Sequence, residues 1–193
     1  MQSDHNFWLP VHEAGHVVVA MALGIEPCYA ILKISPEITR AYTILPYPRA
    51  SADHDEVRFV CAGMAAEILT FRSAERDVPE EEFMIACFDR SQDDRQRLFT
   101  MINANDTGAV DDESQKTLIL NLITRNVIPI IERNALQFML VRSHLAQHKF
   151  IARASLRRIA QGLIPSDEDI KTDHAQLPPD DPAWEVPPPD EQT

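Results

Sequence analysis

Hydrophobic positions recur at helical spacing along most of the chain, with one short alternating stretch between the first two helical runs. The first run covers residues 9–23 and is apolar throughout after His16, which predicts a helix buried at the centre of a domain. Pro10 suits the first turn of that helix, where a missing N–H is harmless, and Gly24 with Pro27 marks its end. Residues 30–35 and 41–45 alternate weakly and carry β-branched side chains, predicting two short strands joined by a turn over 36–40. A second helix opens near Asp53, where Asp53-His54-Asp55-Glu56 has the form of a capping box, and its body covers residues 57–71. In that body Gly63, Ala65 and Ala66 are small enough to admit another helix closely, and Glu67 is a lone acid.

Farther on, residues 72–91 are charged and read as a mobile loop holding a short helix over 80–87. Ser91 has the character of an N-cap for a helix reaching Asn103, with Asp93 and Asp94 in its first turn. Asn105-Asp106-Thr107-Gly108 is a turn signal. From Asp111 to Leu140 the pattern is helical, with Pro129 expected to kink or split the element. A short helix covers 152–161, and Ser166-Asp167-Glu168-Asp169 caps one last turn. The class this predicts is mainly α, with a small β hairpin.

Composition narrows the setting. A chain of 193 residues with 45% hydrophobic content suits one domain with a real core, assigned to residues 1–172. The last 21 residues hold six prolines and six acids and no Lys or Arg, so residues 173–193 are expected to form a disordered acidic tail. The net charge of −12 argues against nucleic-acid partners and against docking on anionic lipid. No apolar run is long enough to span a bilayer, and the start lacks the basic region of a secretory signal. Cys28, Cys61 and Cys87 include no CxxC pair and read as free thiols of a reducing compartment, so the expected location is the cytoplasm.

The chemistry concentrates in His12-Glu13-Ala14-Gly15-His16. Residues four apart on a helix share a face, so both imidazoles can reach one zinc ion. Glu13 is placed to take a proton from an attacking water and return it to a leaving amine. This is the HExxH pattern of zinc metallopeptidases, and with seven His in the chain a random order would produce about 0.02 such matches. The hairpin beside the helix has two readings that the sequence leaves open: a small structural element, or a holder of substrate, since an exposed edge strand can pair with an extended peptide.

Several segments resemble the peptidase domain of the FtsH-type ATP-dependent zinc proteases. His-Glu-Ala-Gly-His followed by apolar residues is that family's form of the motif, and Ala41-Tyr42-Thr43-Ile44-Leu45-Pro46 is similar to its strand ending in proline. Cys61-Ala62-Gly63-Met64-Ala65-Ala66-Glu67-Ile68-Leu69 resembles its Ala-Gly-Arg-Ala-Ala-Glu-Glu-Leu helix, with Met64 in place of the usual arginine. Ser91-Gln92-Asp93-Asp94 resembles the segment whose final aspartate is the family's third zinc ligand. The resemblance covers about residues 9–165, strongest at the zinc motif and weak after residue 110. It implies a zincin-like helical metallopeptidase domain with a small β element, zinc held by His12, His16 and Asp94, and Glu67 orienting a ligand histidine. The family's ATPase domain and membrane helices have no counterpart in this chain, and GxxxxGK[ST] does not occur in it.

The expected activity is therefore a zinc-dependent, ATP-independent endopeptidase acting on unfolded or short polypeptides. A homo-oligomer is compatible with it, and Tyr42, Tyr47 and His54 are candidates by residue type for stabilising the oxyanion. The competing expectation is a non-catalytic interaction module of the same fold, with zinc structural or absent. Glu13 argues against that, because a purely structural site needs no acid there.

Overall fold

A computed structural model describes residues 2–34, 39–46, 54–74, 79–105 and 112–177. Helix α1, Gln2–Ala22, is the central element, packing on helices from both halves of the chain and on the sheet. Val11, Ala14, Val17, Val18, Val19 and Ala20 are almost fully buried, so the helix is apolar around its circumference, as a central helix must be. It begins two turns earlier than expected, which places Pro10 inside the helix rather than in its first turn. The end falls as the sequence suggests. Ile25 N–H donates to the Ala20 carbonyl and Gly24 N–H to that of Met21, satisfying carbonyls the last turn would leave bare.

Strands β1 (Tyr29–Ile34) and β2 (Thr39–Ile44) form the expected antiparallel hairpin. A third strand, β3 (Phe150–Ala152), joins the other side of β1, giving the order β2-β1-β3. Three residues are too few to show a period, so the pattern of the sequence did not reveal it. The fold is thus mostly helical with a small three-stranded antiparallel sheet.

The region read as one second helix is two: α2 (His54–Val60) and α3 (Ala62–Ser73), separated at Cys61. The charged region after it holds the expected short helix as α4 (Glu80–Arg90), three residues longer than expected, with Phe83, Cys87 and Phe88 buried. Helix α5 (Gln92–Asn105) follows, then α6 (Asp112–Leu122), α7 (Ile128–Arg133) and α8 (Ala135–His148). Pro129 sits at the start of α7, directly after a π-helical turn over Ile123–Val127. There Ile128 N–H donates to the Ile123 carbonyl, a wider loop of chain that absorbs the proline's missing donor and the bulk of its ring.

Lys149 takes a left-handed conformation, φ 62°, and turns α8 straight into β3. Helices α9 (Arg153–Ala160) and α10 (Asp167–His174) complete the body. The expected capping box at the start of α10 is present, Ser166 with Asp169. Helix α10, however, runs to His174, past the expected boundary at residue 172. Asp173 is only 1% exposed, and its carboxylate accepts hydrogen bonds from the backbone N–H groups of Ala152, Ala154 and Ser155. It thereby supplies the start of α9 with the acceptor that helix lacks in its own sequence. The rest of the expected tail, residues 178–193, lies outside the described residues, as do residue 35 at the end of the first expected strand, residues 36–38 of the turn after it, Asp53 of the proposed cap and residues 106–108 of the later turn.

Candidate metal centre

Three helices meet at the motif. Gly15 faces α3 so closely that a Cβ there would collide with the Ala62 backbone carbonyl and the Ala66 side chain. Gly63, on α3, lies beneath the His12 ring, and a Cβ at that position would occupy the space of the imidazole. The small residues of both segments therefore serve one purpose, to let α1 and α3 approach until His12 and Glu67 touch. Helix α5 brings Asp94 from its first turn, while the neighbouring Asp93 points to solvent, as consecutive helical positions about 100° apart require.

His12, His16 and Asp94 each offer one ligand atom, and these atoms lie within 4.8 Å of one another. His12 Nε2 is 3.0 Å and His16 Nε2 3.4 Å from Asp94 Oδ2. A tetrahedral zinc ion with bonds of about 2.0–2.1 Å sets its donors about 3.3 Å apart, so the arrangement can hold such an ion. The far nitrogens support this. His16 Nδ1 donates to the Phe59 carbonyl at 2.8 Å, and His12 Nδ1 is 2.8 Å from Glu67 Oε1, so both rings direct Nε2 at the centre. Three protein donors leave a fourth position for water or substrate, the pattern of catalytic rather than structural zinc.

Electrostatics bind the cluster tightly. Burial alone would lower the His12 pKa, yet the carboxylates of Asp94 and Glu67 on its two nitrogens hold it well above the ordinary histidine value. Burial pushes Asp94 up, but His16 and His12 outweigh it and hold the carboxyl well below the usual carboxylate range. Glu67 is likewise lowered against its burial, by His12 and Arg90 and the Cys87 thiol. A metal ion would take the place of the proton shared between His12 and Asp94.

Glu13 is 3% exposed, and burial raises its pKa. The hydroxyl of Thr43, on β2, donates to its Oε2 at 2.7 Å. Glu13 is therefore tied to the hairpin, and among the described residues the strand brought against it is an outer one in the sheet.

All of the motif residues, together with Asp94 and Glu67, thus converge. Of the candidates for oxyanion stabilisation, Tyr42 precedes Thr43 in the strand and so faces the opposite side of the sheet, where its ring packs 6.4 Å from that of Tyr29. His54 is exposed at the start of α2, and Tyr47 lies outside the described residues. Thr43, the Phe59 carbonyl, Cys87 and Arg90 enter the site without having been singled out in the sequence. Thr43 stood in a segment already noted for its resemblance, but only register places its hydroxyl against Glu13. No family model matches the chain, and no curated protein matches it.

Proposed function

We propose that the protein is a zinc-dependent endopeptidase with a zincin-like, FtsH-type peptidase fold, cytoplasmic and independent of ATP. What carries the reading is one juxtaposition: three convergent donors, with the far nitrogens of both histidines already engaged, beside a buried glutamate held by an edge strand. His12, His16 and Asp94 would hold the zinc, which when bound supplies a Lewis acid for the scissile carbonyl and for water. The chain's own residues do the remainder. An extended peptide added to the side of β2 away from β1, unpaired among the described residues, would run past Thr43 and so past Glu13. Glu13 takes the proton of the attacking water on its carboxylate and returns it to the departing amine. A pKa raised by burial brings it closer to the working pH, where a general base is most effective.

Flexible chains are the fitting substrates, because only an extended segment can pair with a strand edge. The test is zinc content together with hydrolysis of casein, wild type against Glu13→Gln. The expected outcome is retained zinc with activity reduced about 10²–10⁴-fold, the usual worth of a positioned general base. Equal hydrolysis by both proteins would refute this role for Glu13, and a wild type that binds no zinc would refute the metal centre.

A further inference from the structure

Glu67 turns only one of its oxygens toward His12. The other, Oε2, accepts from Arg90 Nη2 at 2.9 Å and from the Cys87 thiol at 3.3 Å. Both donors belong to α4, and Arg90 lies in its last turn, beyond the expected end of that helix at residue 87. Glu67 itself is 5% exposed, so its carboxylate has little water to orient it and depends on these partners.

Arg90 is unlike the other two members of this chain. Its side chain is 41% exposed, yet the guanidinium reaches inward to the buried carboxylate. It is fixed in that pose by aromatic rings: its carbon lies 5.9 Å from the Trp8 ring centroid and 5.5 Å from that of Phe83. Phe83 stacks in turn on Phe71 of α3 at 4.0 Å, and Trp8 belongs to α1, one turn before His12. The arginine is therefore held between Trp8 of α1, the helix that carries His12, and Phe83 of its own helix, which rests on α3, the helix that carries Glu67. A planar guanidinium held over rings has little freedom to release its hydrogen bond.

We infer that Arg90 is a positioning residue for the metal centre: it orients the Glu67 carboxylate, which orients the His12 ring and so sets how tightly the centre holds its metal. The inference rests on the reading of His12 as a metal ligand. The line of contact runs from the surface of α4 to the ligand in two hydrogen bonds, Arg90 to Glu67 and Glu67 to His12. Partners of this kind set ring orientation and donor strength, and their loss weakens metal binding about 10- to 100-fold. Arg90 touches neither the proposed substrate edge nor Glu13, so its effect should appear in metal affinity rather than in the proton-transfer step.

The test measures the zinc dissociation constant of the full chain by competition with a chromophoric chelator, for wild type, Arg90→Met and Arg90→Lys. Methionine keeps the apolar stem against Trp8 and Phe83 but has no donor, whereas lysine keeps a donor and a charge. Arg90→Met should bind zinc about tenfold more weakly, and Arg90→Lys should recover most of that loss. The visible spectrum of the cobalt-loaded proteins should shift in Arg90→Met, since the geometry of a ligand histidine has changed. Wild-type affinity in Arg90→Met overturns the inference, even if its melting temperature falls, because the residue would then only brace the helices. A lysine variant no better than methionine also overturns it. A wild type that takes up no zinc removes the metal centre itself, and this inference falls with it.

Discussion

His12 lies between two carboxylates, Asp94 on Nε2 and Glu67 on Nδ1, and the direction of its pKa shift makes a definite claim about pH. A histidine whose folded pKa is raised contributes stability fully below its unfolded value, about 6.5, and loses it as pH rises through the folded value. Asp94 and Glu67 are lowered, so their contribution is present above their unfolded values, about 4, and is lost as pH falls through the folded ones. In metal-free protein the cluster is therefore most stabilising between about pH 4.5 and 6.5. The difference in melting temperature between wild type and His12→Asn, without metal, should be largest in that window and shrink toward alkaline pH. A difference that stays constant from pH 5 to 9 would mean that the imidazolium is not held between the two carboxylates. At this scale the motif residues were legible because two histidines and a glutamate at fixed spacing have few other uses. Arg90 and Thr43 were not, because an arginine and a threonine are common everywhere and only the packing of three helices and a strand gives them a role.

Elements were legible where period and punctuation agreed, as at the Gly24 end of α1 and the capping box of α10. They were misread where composition suggested one thing and packing another. The charges of residues 72–91 limited the expected helix to 80–87 within a loop, but Phe83, Cys87 and Phe88 recur on one face and bury it, and α4 runs on to Arg90. Asp173 belongs to an acidic, proline-rich stretch by composition, yet it caps the start of α9 from another helix. Asp173→Ala should cost about 2–3 kcal/mol, since it strips a charged acceptor from backbone donors that are mostly buried. The urea midpoint measures this, and truncation after Lys171 should produce a similar fall because it removes the same carboxylate. A cut after Leu177 is the control. No change in the midpoint for either Asp173→Ala or the shorter chain would show that α9 is capped by other means.

For the whole molecule the strand order matters most. The central strand β1 takes its first partner from the adjacent hairpin and its second from roughly 120 positions along the chain, a separation whose closure entropy delays pairing. Order of folding follows from this. A nascent or refolding chain holds His12, Glu13 and His16 early, and the β1–β2 hairpin can form locally. The sheet that braces Thr43 is finished only when α8 has delivered β3. Leu32 N–H donates to the Lys149 carbonyl across this late junction, at 2.7 Å. In pulse-labelled hydrogen exchange during refolding, the Leu32 amide should therefore gain protection after the amides of the β1–β2 ladder. Simultaneous protection of both would mean that the sheet forms in one step. If the delay holds, a half-made chain carries every residue of the motif while the sheet behind Thr43 is still unfinished, and a peptidase of the proposed kind would be spared from acting on its own unfolded parts before synthesis is complete.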